Sequence, residues 1–210
     1  MLLLSAFAVS AKNYDIPLIQ GKAKIDGILD DEIWNQALQV ELLYEVDPAN
    51  NIAADVSTTA YIVDIGHSIL FGFKAQDPEP GKIRAFLRDR DSAWRDDFVG
   101  VMLDTYNDER RALEFFVNPL GVQMDLIRDD SGGGSNEDSS WDAIWESAGK
   151  ITTEGYIVEM LIPYNELQMP ESDGKKTWGI NFFRAYPRNV RKQIQAAPLD
   201  RNNNCFLCQI

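Results

Sequence analysis

The stretch Arg88–Asp129, RDRDSAWRDDFVGVMLDTYNDERRALEFFVNPLGVQMDLIRD, decides how this chain folds. It contains three apolar runs, Phe98–Asp104, Ala112–Asn118 and Val122–Ile127, each of strand length and rich in Val, Phe, Leu and Ile. Tyr106-Asn107-Asp108-Glu109 and Pro119-Leu120-Gly121 separate them, and both are turn-forming sequences. Three strands joined by short polar turns make an antiparallel meander. The same stretch holds the densest set of Arg, Asp, Asn and Trp in the chain, so a ligand is expected to touch it.

Working outward, Val56–Asp64 and Ile69–Ala75 flank the tight turn Ile65-Gly66-His67-Ser68 and predict a hairpin. Gln76–Gly81 ends it in a loop that two prolines keep out of any sheet. Downstream, Ser131–Ser140 (SGGGSNEDSS) reads as a flexible polar loop. Strands follow near Ala143–Lys150, at Tyr156–Pro163 and at Lys176–Tyr186, with one helical turn at Tyr164–Leu167. Upstream, Pro17 confines Ile16–Ile19 to an edge strand or extended arm. Asp26-Gly27 turns, and Asp30 is placed to cap a short helix with Ile33, Trp34 and Ala37 on one side. The sum is an all-β antiparallel sandwich of two sheets, about eight to ten strands, with one or two short helical turns. No strand-helix alternation supports a parallel α/β fold.

A length of 210 residues suits one domain, and 45% hydrophobic with 25% charged residues is globular composition. The net charge of −13 argues against nucleic acid, because arginines are interleaved with aspartates and build no basic stripe. Met1–Ala11, MLLLSAFAVSA, resembles the apolar core and small-residue cleavage site of a secretory signal peptide without its positive start. This predicts a periplasmic, outer-membrane-associated or secreted protein. Cys205 and Cys208 form a C-x-x-C with no following His, which excludes c-type haem attachment and points to a structural disulfide or half of a larger site. The apolar ending CFLCQI suggests that residues 189–210 begin a further region.

Catalytic signals are absent. The single histidine, His67, sits in a hairpin turn, and no nucleophile elbow, zinc or phosphate-loop motif occurs. Glu114 and Glu159 lie within strands and are expected on solvated faces. Binding is better supported: Trp94, Trp141 and Trp145 lie beside polar loops, where an indole stacks on the apolar face of a sugar, whereas Trp34 and Trp178 read as core. Asp77, Glu79, Asp96 and Asp97, in or beside loops, are the candidates for a structural calcium site, since Ca²⁺ takes about six to eight oxygens.

The segments IDGILDDEIW, LFGFKAQDPEP, RDRDSAWRDDFVGVMLDTYND, FFVNPLGVQMD, WDAIW, GYIVEMLIPYNEL and WGINFFRAYPR, in this order from about Ile16 to Arg188, resemble the family 9 carbohydrate-binding-module-like domain. The nearest resemblance is to the version that precedes an uncharacterised, predicted outer-membrane β-barrel region in secreted bacterial proteins. The resemblance implies a β-sandwich that binds an oligosaccharide or polysaccharide without cleaving it. It also implies Trp94 with Trp141 or Trp145 as sugar-stacking residues, and Asn118, Gln123, Asp125 and Arg184 as hydrogen-bonding ones. Two alternatives stand beside it: a periplasmic structural or interaction domain packed on a membrane barrel of the same polypeptide, and an accessory domain of a glycoside hydrolase.

Overall fold

A computed structural model describes residues 12–132, 136–170 and 174–210; the predicted signal segment and part of the glycine-rich loop lie outside them. The fold is the expected sandwich. Its strands are β1 (Leu38–Glu41), β2 (Tyr44–Asp47), β3 (Ile52–Ala53), β4 (Thr58–Asp64), β5 (Ser68–Gln76), β6 (Phe98–Asp104) and β7 (Arg111–Val117). They continue with β8 (Gln123–Asp129), β9 (Asn136–Asp138), β10 (Glu146–Thr152), β11 (Gly155–Pro163), β12 (Gly179–Pro187) and β13 (Arg191–Gln195). One sheet has five strands in the order β1-β4-β5-β11-β10, the other eight in the order β3-β2-β13-β12-β6-β7-β8-β9. Every pairing between named strands is antiparallel.

Strand alternation builds the core. From β6 and β7 the odd residues Val99, Val101, Leu103, Leu113, Phe115 and Val117 meet Ile62, Phe71, Phe73, Val158 and Met160 of the five-stranded sheet, all buried. Their even neighbours therefore face the outside of the eight-stranded sheet. The short strands β1–β3, β9 and β13 lack the length or hydrophobic alternation that predicts a strand, and they form because neighbours supply their hydrogen bonds. Asn136–Asp138 in particular, expected as loop, pairs with β8.

The helical turns are 3₁₀, at Glu32–Gln36, Pro80–Lys82 and Leu207–Gln209. The first was expected; Asp31 rather than Asp30 precedes it, and its side chain makes no capping bond. Ile16–Ile19 is the extended arm, with Ile19 N–H donating to Asp64 C=O at 2.8 Å. Glu159 and Glu114, expected in solvent, are both buried, because chain segments outside the strands cover each outer face. Cys205 and Cys208 form a disulfide beside Leu207, which packs with Met102 and Ala112 on the outside of the eight-stranded sheet.

Candidate functional site

Two consecutive phenylalanines on β7 sort the tryptophans. Phe115 faces the core and takes Trp141 and Trp145 edge-on, with ring centroids at 5.8 Å and 5.3 Å. Phe116 faces outward and takes Trp94 at 5.8 Å. Trp94 and Trp141 thus lie on opposite faces of one sheet and cannot clamp a sugar between them. Trp145 is 6% exposed and belongs to the core, so its expected stacking role is corrected: alternation on β7 gives it Phe115 as a partner instead of solvent.

Trp94 stands in a different setting. Its indole, half-buried, also meets Phe98 edge-on at 5.9 Å, and Phe98 stacks on Phe183 at 5.8 Å and 19°. Phe116 meets Phe98 at 5.3 Å and Phe183 at 5.7 Å, completing a four-ring platform over Ala93, Val122, Met124 and Ala185. Gly100, opposite both Phe116 and Phe183, permits this closeness: a Cβ there would lie 2.3 Å from the Phe116 ring and 2.2 Å from Phe115 C=O. The Arg191 guanidinium sits 5.3 Å from the Phe98 centroid and donates to Trp94 C=O, tying the loop to the sheet. Beside the platform, Asn181 Nδ2 donates to Gln195 Oε1 at 3.0 Å.

The expected hydrogen-bonding residues mostly hold loops. Asn118, fully buried, spends Nδ2 on Phe86 C=O and Asp96 Oδ2 at 3.0 Å each, while Oδ1 accepts the N–H groups of Leu120 and Val122. Asp125 is equally buried: Oδ2 accepts Ala143 N–H at 2.7 Å and Oδ1 accepts Arg90. Arg90 also donates to Gln123 Oε1 and Ala143 C=O and pairs with Asp142 at 3.0 Å, and Gln123 Nε2 donates to Trp145 C=O at 2.8 Å. One arginine therefore fastens the Trp94 loop, β8 and the segment before β10 together. Arg184 is also corrected. It points into the sandwich, fully buried, with Nη1 on Thr58 Oγ1 at 2.8 Å and its guanidinium against Tyr156 and Tyr186. An inward position on β12 leaves it no route to a ligand.

The four carboxylates suggested for calcium do not share a cage. Asp77 and Asp97 both pair with Arg188, Asp96 accepts Phe86 N–H and Asn118 Nδ2, and Glu79 pairs with Lys82 at 2.6 Å. Burial raises the Asp97 carboxyl above its ordinary value, with Arg188 acting against that rise. Asp91, Asp125 and Asp142 do come within 4.8 Å of one another, and Arg90 pairs with all three. In both places an arginine already supplies the positive charge.

The platform was legible in one respect that the tryptophans obscured. Phe115-Phe116 and Phe182-Phe183 are adjacent pairs on strands, so alternation forces one ring of each outward. Arg90 and Arg191, whose partners are distant in sequence, carried no such signal.

Residues 25–195 match the family described as carbohydrate family 9 binding domain-like. The chain belongs to this family. Its fold is similar to that of a candidate carbohydrate-binding protein from Bacteroides uniformis, at 18% identity and a TM-score of 0.66, over 92% of this chain and 93% of that one. It is also similar to a carbohydrate-binding module of family 9 from Caldicellulosiruptor kristjanssonii solved with cellotriose, at 17% identity and a TM-score of 0.58, over 91% and 87% of the two chains. Among curated proteins, none matches.

Proposed function

We propose that this chain is a non-catalytic carbohydrate-binding domain of a secreted protein, and that its sugar lies on the Trp94–Phe183 platform. One observation carries the reading. Of the three loop tryptophans, Trp94 alone stands on the outer face of the eight-stranded sheet, half-buried and braced by Phe98 and Phe116. A rigid aromatic patch bordered by the exposed Arg191 matches what a pyranose offers, an apolar ring face and hydroxyls at its edge. Family membership supports the ligand class, and the neighbour solved with cellotriose makes β-linked glucose the first probe. The signal-like N-terminus and the Cys205–Cys208 disulfide favour an oxidising compartment.

Isothermal titration with cellotriose and xylotriose, with and without calcium, tests this on the wild type and on Trp94→Ala and Trp141→Ala. The expected result is a Kd raised at least tenfold by Trp94→Ala and by less than twofold by Trp141→Ala. A folded wild type silent toward the whole panel, or binding indifferent to Trp94, would overturn it. A second reading, a domain that docks on a membrane barrel, draws on the exposure of Phe86 (53%) and Leu87 (80%) beside Leu120. Silence toward sugars would move the weight there.

A further inference from the structure

The end of the sandwich away from Trp94 contains a cleft of about 450 Å³, within the range of roughly 300–1,000 Å³ typical of small-molecule sites. The turn between β6 and β7 forms one wall, with Tyr106, Asp108 and Arg110, while Arg111, Ser131 and Gln168 contribute elsewhere. Phe98, on which Trp94 packs, and Thr105, which lines the cleft, stand at opposite ends of β6, roughly 20 Å apart at strand rise, so the Trp94 end and the cleft are separate places.

The wall is stiff. Asp104, buried, accepts Glu109 N–H on Oδ2 at 2.8 Å, and its backbone carbonyl accepts Asn107 N–H at 3.2 Å. Asn107 and Glu109 are held at φ 52° and 61°, in the left-handed region that non-glycine residues seldom enter. The Thr105 hydroxyl donates to Gln168 C=O and closes the turn against the opposite side. Tyr106 and Arg110 are thereby presented on a preset frame.

The free hydrogen-bonding groups define the ligand. Arg111 is committed to Asp129 at 2.8 Å, and Asp129 is fixed in turn by Ser131. Asp108 directs Oδ1 at Arg110 N–H at 3.1 Å. The Arg110 guanidinium has no carboxylate or hydrogen-bond partner among the described residues, and Tyr106 is 53% exposed with no ring partner there. An unpaired guanidinium beside an exposed ring and the Gln168 side chain selects a planar anion carried on a flat, hydroxylated body. We infer that this cleft binds an acidic saccharide, a uronic-acid oligomer, with Arg110 on the carboxylate and Tyr106 against the ring. This second site does not depend on the reading of Trp94.

The test uses α-1,4-linked trigalacturonic acid, its methyl ester, and sodium acetate, with titration calorimetry and amide NMR shifts on the full chain. The acid is expected to shift residues 105–111, to bind at least tenfold more tightly than the ester, and to lose at least tenfold in affinity in Arg110→Gln. Tyr106→Ala is expected to weaken it similarly, and Trp94→Ala to leave it unchanged. Equal binding of acid and ester, full competition by acetate at equal concentration, no binding, or indifference to Arg110→Gln in a variant that keeps the wild-type amide spectrum would each overturn the proposal. Loss of cellotriose binding in Trp94→Ala with trigalacturonate binding retained separates the two sites.

Discussion

The outer faces of the two sheets each carry one buried glutamate, and they are finished differently. On the five-stranded sheet, Glu159 Oε2 accepts the N–H groups of Asp26 and Gly27 at 2.9 Å and 2.8 Å, and Oε1 accepts Trp34 Nε1–H at 3.0 Å. Trp34, 3% exposed, covers Gly72 on the central strand, where a Cβ would lie 3.2 Å from its ring. On the eight-stranded sheet, Glu114 is buried beside Met102 and Leu126, with no hydrogen-bond partner for Oε1 among the described residues. Its glycine, Gly100, lies against Phe116 of the adjoining strand. The first face is sealed by a segment that supplies Glu159 with its hydrogen-bond donors; the second carries the partly exposed Trp94 and Phe183 and leaves Glu114 Oε1 without a partner among the described residues. Partly exposed rings on an outer face are what a sugar-binding surface presents.

The largest expected effect tests the seal. Trp34→Ala removes a buried ring and the donor to Glu159, and should cost about 3–5 kcal/mol in urea unfolding. Trp94→Ala, on the open face, should cost about 1–2 kcal/mol, since its ring is only partly buried and gives no hydrogen bond to a buried group among the described residues. Equal losses would abolish the distinction between the faces.

Next in size is a contrast in what glutamine does at the two glutamates, both of whose carboxyls burial raises. Burial, reinforced by the Glu137 charge, raises the Glu114 carboxyl to about 8, with Arg128 opposing and Asp130 adding to the rise. The folded state therefore holds a proton that the unfolded chain gives up near pH 4.5. Stability from this group is full below pH 4.5 and is lost as pH rises toward 8, by about 3 kcal/mol at pH 7. Glu114→Gln should flatten that slope and make the protein more stable than wild type at pH 8. Glu159→Gln should instead cost about 1–3 kcal/mol at neutral pH, because an amide turns a donor toward N–H groups that need acceptors. Urea midpoints at pH 5, 7 and 8 read both, and a steep slope retained in Glu114→Gln would move the origin of the pH dependence elsewhere.

These contrasts also explain what could be read in advance. Strand order along the meander, the hairpin at Val56–Ala75 and the sandwich were legible because they rest on local alternation and turn chemistry, both properties of neighbours in sequence. The site was legible only in part. Trp94 stands beside a loop on an outer face, but its separation from Trp141 depends on the opposite facing of Phe115 and Phe116, a matter of register that the loops concealed. Arg184 and Asp125 were misplaced because a buried charge looks like a surface charge in sequence until its partners, Thr58 and Tyr186 for one and Arg90 for the other, arrive from distant strands and loops. Glu159 was misjudged for the same reason, its partners being Asp26, Gly27 and Trp34.

The smallest predicted effect concerns how the open face keeps its tryptophan in place. Arg191 is exposed, yet it bridges two elements by lying on the Phe98 ring and donating to Trp94 C=O. A single exposed cation–π contact is worth about 0.5–1 kcal/mol, so Arg191→Ala should barely move the unfolding midpoint. Its consequence should appear in binding, because the loop carrying Trp94 loses a tether that fixes the indole relative to Phe183. A fall of about threefold in cellotriose affinity is expected, about 0.65 kcal/mol, with Arg191→Lys recovering only part of it, since an ammonium cannot lie flat on a ring while donating to a carbonyl. If affinity stays at the wild-type value in Arg191→Ala, the edge contacts with Phe98 and Phe116 suffice to hold Trp94. The open face would then owe its rigidity to aromatic packing alone.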